Sequence, residues 1–179
     1  MKRIGCLLLL LVLLPAIGLA QTAISQEEPP FYQLTHDDFF ARYNAIAAER
    51  TGESEPFLQE LFSVKEAAVY TAASGSISVI TSVQDSEDCI DDLMLICSSP
   101  VVDLQHCAMV WEIAIRTADP SLSEEEVQAI FAETFQSGIE NMDDPFGLFF
   151  AEKNGIDYSF HSVEADDGVA YFMSIDVAE

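Results

Sequence analysis

The dipeptide Asn154-Gly155 separates two runs of residues that suit β-strands. Both central residues of a two-residue hairpin turn take positive φ angles, which Asn and Gly adopt most readily, so this pair predicts a tight antiparallel hairpin. The run after the turn alternates apolar Ile156, Tyr158 and Phe160 with polar Asp157, Ser159 and His161. Because neighbouring side chains on a strand point to opposite faces, we expect an antiparallel sheet with one buried face and one solvated face.

Six runs in all have the composition and the flanking turn residues of strands. They cover residues 65–72, 76–83, 89–97, 146–153, 156–161 and 169–177. Three helices are also predicted. Thr35 and Ser123 each cap one of them, with an acidic residue three positions later. The third spans residues 103–118, and because it is apolar on almost every side we expect it to be central and buried. A short helical turn is predicted at residues 56–62.

The order of elements is α-β-β-β-α-α-β-β-β. It predicts an α+β fold, in which a largely antiparallel sheet of about six strands has helices packed on one face. Each half of the chain opens with a capped helix, which ends at Thr51-Gly52 or Ser137-Gly138, and each continues with three strands. This repetition suggests an internal duplication. No motif is specific enough to assign the chain to a family.

The N-terminus has the parts of a secretory signal. It begins with the basic pair Lys2-Arg3, continues with an apolar run over residues 4–14 and reaches small residues that fit cleavage before Gln21. The predicted divisions are a signal peptide at 1–20, a flexible N-terminal arm at 21–33 and a single α+β domain at 34–179. We therefore expect a periplasmic or secreted protein with no membrane attachment after cleavage.

The charge is far from balanced, with 31 acidic and 7 basic residues and a formal net charge of -24. Binding to nucleic acid or to anionic lipid needs clustered Lys and Arg, so the composition excludes both as general functions. The chain is 50% hydrophobic, which predicts a folded protein. One interpretation of the acidity is adaptation to salt, since the Debye length falls to about 3 Å at 1 M salt. The other is capture of a basic exported partner.

Cys6 lies in the predicted signal peptide, which leaves Cys89, Cys97 and Cys107. Cys89 and Cys97 lie on one predicted strand, where a rise of about 3.3 Å per residue puts them roughly 26 Å apart, far beyond disulfide reach. Cys97 and Cys107 flank a loop that can fold back, so we predict a disulfide between them. Cys89 would then be a buried thiol or one that pairs with a partner.

The sequence contains neither the G-x-S-x-G turn of a serine nucleophile nor a glycine-rich phosphate loop. Its histidines lack the close pairing of zinc ligands, and its short acid pairs lack the spacing of a calcium loop. The residues concerned are His36, His106, His161, Asp91-Asp92, Asp143-Asp144 and Asp166-Asp167. We therefore predict no catalytic residue, no metal site and no cofactor.

One predicted surface is a candidate for binding. Asp157, Ser159 and His161 share the polar face of one predicted strand. Ser174 and Asp176 are expected beside them on the neighbouring strand. A solvated sheet face explains the same residues without any ligand, so both interpretations stay open at this point.

Three functions are compatible with these features. The leading hypothesis is a noncatalytic binding or interaction module, with a basic exported protein as its partner. An inhibitor or immunity protein for a basic secreted enzyme is a sharper form of this hypothesis and needs a concentrated acidic patch. A small carboxylate-dependent hydrolase needs a cleft that holds a carboxyl group with a raised pKa. The sequence indicates no oligomeric state.

Overall fold

The computed structural model describes residues 28–51, 59–64, 69–74, 77–83, 89–98, 103–141, 147–165 and 168–178. Several predicted features lie outside these ranges. They are the signal peptide, the first part of the N-terminal arm, and the acid pairs Asp143-Asp144 and Asp166-Asp167.

Within the described ranges seven strands form one antiparallel sheet. They are β1 (Gln59–Val64), β2 (Val69–Ser74), β3 (Ile77–Val83), β4 (Ile90–Ser98), β5 (Phe149–Lys153), β6 (Ile156–Ala165) and β7 (Gly168–Val177). Their order across the sheet is β1-β2-β3-β4-β7-β6-β5, so two meanders meet where β4 pairs with β7. Four of these strands, β4 to β7, position the side chains discussed below.

The helices are α1 (His36–Thr51), α2 (Leu104–Ala118), α3 (Glu124–Phe131) and α4 (Ser137–Glu140). A short 3-10 turn, Phe31–Gln33, precedes α1, and a π-helical stretch, Ala132–Gln136, joins α3 to α4. α2 packs against α1, α3 and β7, so it lies at the centre of the helical layer. None of the helices in the described part of the chain is long and apolar enough to cross a membrane.

The predicted α+β fold with an antiparallel sheet is confirmed. The strand count is not, because β1 occupies residues where the sequence predicts a helical turn. Pairing of β1 with β2 outweighs the weak local preference of this segment. The first half of the chain therefore contributes four strands and the second half three, so the suggested duplication into like halves is not seen.

The described end of the predicted N-terminal arm is packed against the domain. Phe31 lies within the predicted flexible segment, yet its side chain is completely buried in the core. The backbone beside it is also fixed, because the Ile90 N–H donates to the Leu34 carbonyl over 3.0 Å. Arg42 holds the segment from the other side by donating to the Pro29 carbonyl over 2.7 Å. The apolar Phe31 therefore binds this segment to the domain.

Both predicted helix caps are present. The Thr35 hydroxyl accepts from the Asp38 N–H over 3.2 Å at the start of α1. Ser123 and Glu126 form a reciprocal capping box at the start of α3, in which each side chain accepts from the other residue's backbone N–H. A third cap, Asp103, was not predicted. Its carboxylate accepts from two N–H groups in the first turn of α2.

Helix α2 is buried as predicted, and Trp111 is its largest core residue. The Trp111 indole is completely buried and packs edge-to-face on Tyr158 of β6, with ring centroids 6.5 Å apart. Its Nε1–H donates to the Thr134 hydroxyl in the π-helical stretch over 2.9 Å. This hydrogen bond links α2 to the π-helical stretch beneath the sheet.

The predicted pairing of Cys97 with Cys107 is seen, since the two lie at disulfide distance with Cα atoms 6.7 Å apart. Cys97 is near the end of β4, and Cys107 is in the first turn of α2. Both side chains are completely buried. The bond therefore joins the central strand to the central helix. Cys89 lies outside this bond and is half-buried.

Candidate functional site

Among the described residues, the helices cover one face of strands β4 to β7 and leave the other without a helix. Alternate side chains of these strands are mostly buried beneath the helices, and those between them are half-buried or exposed on the opposite face, which we call the open face. The open face comprises Asp92, Met94, Ile96, Phe150, Glu152, Asp157, Ser159, His161, Val163, Phe172, Ser174 and Asp176. Strand pairing arranges these residues in rows that run across the strands.

Four carboxylates form one of these rows. Asp92 on β4 pairs with Asp176 on the neighbouring strand β7. On the other side of β7, Asp176 pairs with Asp157 on β6. Glu152 completes the row opposite Asp157. We call these four residues the acid row. Adjacent strands are about 4.8 Å apart, so the acid row spans roughly 14 Å.

Asp176 is repelled by the carboxylates on both sides of it in the acid row. Asp176 lies between Asp92 and Asp157, and its pKa is raised above the ordinary value of 3.8. Partial burial is the main cause, the negative charges of both neighbours add to it, and a hydrogen bond from Ser174 opposes it. Asp157 also has a buried carboxylate oxygen with no hydrogen-bond partner among the described residues. The ionised form of Asp176 is therefore disfavoured in the free protein.

In the next two rows along the strands, side chains of β6 and β7 contact each other. The Ser159 and Ser174 hydroxyls lie opposite each other and are hydrogen-bonded over 2.7 Å. In the next row the His161 and Phe172 rings stack with centroids 5.0 Å apart and an interplanar angle of 8°. These contacts fix the two central strands of the surface, which is a rigid arrangement for a binding site.

Apolar side chains lie on the same face, next to the acid row. We call five of them the apolar band: Met94, Ile96, Phe150, Val163 and Phe172. Phe150 is 49% exposed, Val163 47% and Met94 37%, although each is a large hydrophobic residue. An apolar patch beside a charged rim is typical of a protein-interaction surface.

The basic residues of the described ranges all bind the helical layer or its edge. Their acceptors are the Pro29 and Thr117 carbonyls for Arg42, Glu112 for Arg50, Glu112 and Glu124 for Arg116, and Glu126 for Lys153. None of the open-face residues named above is Lys or Arg. The described Lys and Arg side chains therefore belong to the helical side of the sheet and not to the open face.

The structure brings together all five residues of the predicted binding face. They form the pairs Asp157–Asp176 and Ser159–Ser174 in adjacent rows, and His161 follows in the next row. Two members of the acid row, Asp92 and Glu152, are not among the predicted binding residues. Asp92 joins the acid row only because β4 pairs with β7, and no local pattern indicates that pairing between distant strands.

A cavity of about 630 Å³ lies elsewhere, between α1, the end of α2 and the start of α3. Arg50, Arg116 and Glu124 line it. Arg116 binds Glu124 over 2.7 Å and lowers the pKa of that carboxyl group. The cavity and the raised pKa of Asp176 therefore occur on different parts of the molecule.

We expect the substitution Asp176→Asn to stabilise the protein by about 1 kcal/mol at pH 7, because it removes a partly buried charge and its two like-charge contacts. The folded state raises the pKa of Asp176, so it binds the proton more tightly than the unfolded state does. The ionised carboxylate therefore costs stability at neutral pH, and this cost fades as the pH falls through the folded-state pKa.

Urea unfolding of both proteins between pH 7 and pH 3 measures this effect. The gain from Asp176→Asn should shrink toward the acid end of the series. Glu133→Gln on the exposed helix surface is the control and should change stability by less than about 0.5 kcal/mol. A gain that is independent of pH would show that charge repulsion is not its cause.

Comparisons of this chain with protein families, with curated proteins and with solved structures found no match.

Proposed function

We propose that this chain is an exported, noncatalytic binding module that docks a basic partner on its open face. The acid row is the observation that carries the proposal. Four carboxylates lie in register across adjacent strands, and partial burial together with two like-charged neighbours raises the pKa of Asp176, which disfavours its ionised form in the free protein. Neutral polar residues would solvate a sheet face equally well. A partner that supplies cations would turn the repulsion into attraction.

General adaptation to salt accounts less well for this arrangement. Adaptation needs acidic residues spread over the surface, and the exposed helical positions Asp37, Glu125 and Glu133 fit that description. The acid row instead places four carboxylates in register on four adjacent strands, beside the apolar band. That combination matches the polar rim and apolar centre of protein interfaces.

An inhibitor of a basic secreted enzyme is the sharper form of the proposal, and the concentrated acid row favours it. Hydrolysis by a carboxylate has less support. The Glu124 carboxylate in the cavity is bound by Arg116, whereas a general acid needs a raised pKa inside a cleft.

The test is capture of a partner from the exported proteins of the source organism. The mature chain, Gln21 to Glu179, is immobilised as three versions: the natural sequence, a row variant and a control variant. The row variant carries Asp92→Asn, Asp157→Asn and Asp176→Asn. The control variant carries Asp37→Asn, Glu125→Gln and Glu133→Gln, which remove the same charge from exposed helix positions.

We expect a basic protein to bind the natural chain and the control variant with similar affinity. The row variant should bind it about tenfold more weakly, because each lost ion pair contributes up to about 1 kcal/mol. Unfolding cannot explain such a loss if the row variant proves at least as stable as the natural chain, as the removed repulsion predicts. Equal capture by the row variant and the natural chain would refute docking on the open face. Inhibition of a captured enzyme would support the inhibitor form.

A further inference from the structure

We infer that the partner presents a cationic amphipathic α-helix, which lies across the strands along the acid row. This inference rests on the proposed function and adds the shape of the group that binds. It follows from the spacing of the open-face residues, both along the acid row and between that row and the apolar band.

The spacing along the acid row matches one turn of an α-helix. Neighbouring carboxylates are separated by one strand spacing, about 4.8 Å. Residues one turn apart on a helix rise about 5.4 Å, so Lys or Arg at positions i, i+4, i+7 and i+11 can each face one carboxylate. The mismatch over the whole row is about 2 Å, which long and flexible basic side chains can absorb.

An extended segment does not fit the same row. Side chains on one face of a β-strand are about 6.8 Å apart, which exceeds the carboxylate spacing by roughly 2 Å at every step. A strand added beside β5, the last strand of the described sheet, would lie alongside the existing strands and would meet only the Glu152 end of the row. A helix lying across the strands is the regular element that engages all four carboxylates.

The apolar band explains why the helix should be amphipathic. Phe150 and Met94 lie one row away from the acid row, and Phe172 and Ile96 lie two rows away. One row corresponds to two residues along a strand, or about 7 Å, while a helix with its side chains is about 10 Å across. A helix whose basic edge lies on the acid row therefore places its next face on the apolar band.

The experiment uses two synthetic peptides of about 18 residues, a length at which a helix can form on binding. Both contain the same numbers of Lys, Leu and Ala. The helical peptide has Lys at i, i+4, i+7 and i+11 with Leu on the adjoining face. In the alternating peptide Lys and Leu follow a period of two. Calorimetry gives the affinity of each for the mature chain, and circular dichroism gives the helix content of the bound peptide.

We expect the helical peptide to bind at least about tenfold more tightly than the alternating peptide and to gain helix content on binding. The row variant should lose this preference, and the control variant should keep it. Phe150→Ser should also weaken the helical peptide several-fold. This substitution should leave the fold intact because Phe150 is 49% exposed. Binding without any effect of Phe150→Ser would refute the amphipathic part of the inference.

Failure of the inference can be told apart from failure of the proposed function. Equal binding of the alternating and helical peptides would refute the helical shape of the partner but not the docking surface. The same conclusion holds if neither peptide binds while a basic protein is still captured through the acid row. If neither peptide binds and capture is independent of the acid row, both proposals fall.

Discussion

Replacing Gly138 by alanine is expected to lower the free energy of unfolding by about 3 kcal/mol, the upper part of the usual range for overpacking a core. Gly138 is buried in α4, where the helix meets β6. An added Cβ would overlap two atoms of the Phe160 ring and lie 3.1 Å from a third. The ring is completely buried between Phe135 and Tyr171 and has little room to move. Urea denaturation followed by circular dichroism measures the loss.

A second background isolates the cause. Phe160→Leu removes Cε1 and replaces the flat ring by a smaller side chain that can change rotamer, so Gly138→Ala should cost at least about 1 kcal/mol less in that background. Helix propensity alone would make the alanine favourable by roughly 0.8–1.0 kcal/mol, which gives the opposite sign. Equal losses in both backgrounds would contradict the close packing of α4 against β6.

Removing the disulfide is the second large perturbation. Changing Cys97 and Cys107 to serine together should lower the free energy of unfolding by about 3 kcal/mol, because the bond closes a loop with a sequence separation of 10 in the unfolded chain. Two buried sulfur atoms also leave the core and are replaced by hydroxyls, which adds to the loss. Denaturation with and without a reducing agent measures it.

The reducing agent provides the internal control. It should destabilise the natural chain and a Cys89→Ser variant by similar amounts, since Cys89 is outside the bond. It should have no effect on the protein that lacks Cys97 and Cys107. Equal sensitivity of all three proteins would mean that the bond between β4 and α2 does not stabilise the fold.

Much of the fold could be predicted from sequence patterns that span only a few residues. The Asn154-Gly155 turn forms as expected, with Asn154 at a φ of 54° and Gly155 at 76°. The capping box at Ser123 and the buried α2 also follow from patterns within a few residues. Strand β1 was not predictable in this way, because its partner β2 rather than its own sequence determines its conformation.

Only the residues of the candidate site that lie on the β6–β7 hairpin could be predicted from the sequence. Asp157 and Asp176 lie on consecutive strands, and their alternation places them on the same face. Asp92 belongs to a strand that precedes three helices, and its register against β7 depends on long-range pairing. Phe150 was missed for a different reason, since alternation does not reveal which apolar residues remain exposed.

Trp111 gives the protein an intrinsic optical reporter. It is the only tryptophan in the chain, and it is fully buried under the face of the sheet opposite the open face. Its fluorescence should therefore be blue-shifted in the native state and move to longer wavelength when the helical layer separates from the sheet. A partner on the open face would leave this emission nearly unchanged, so one spectrum can distinguish docking from unfolding.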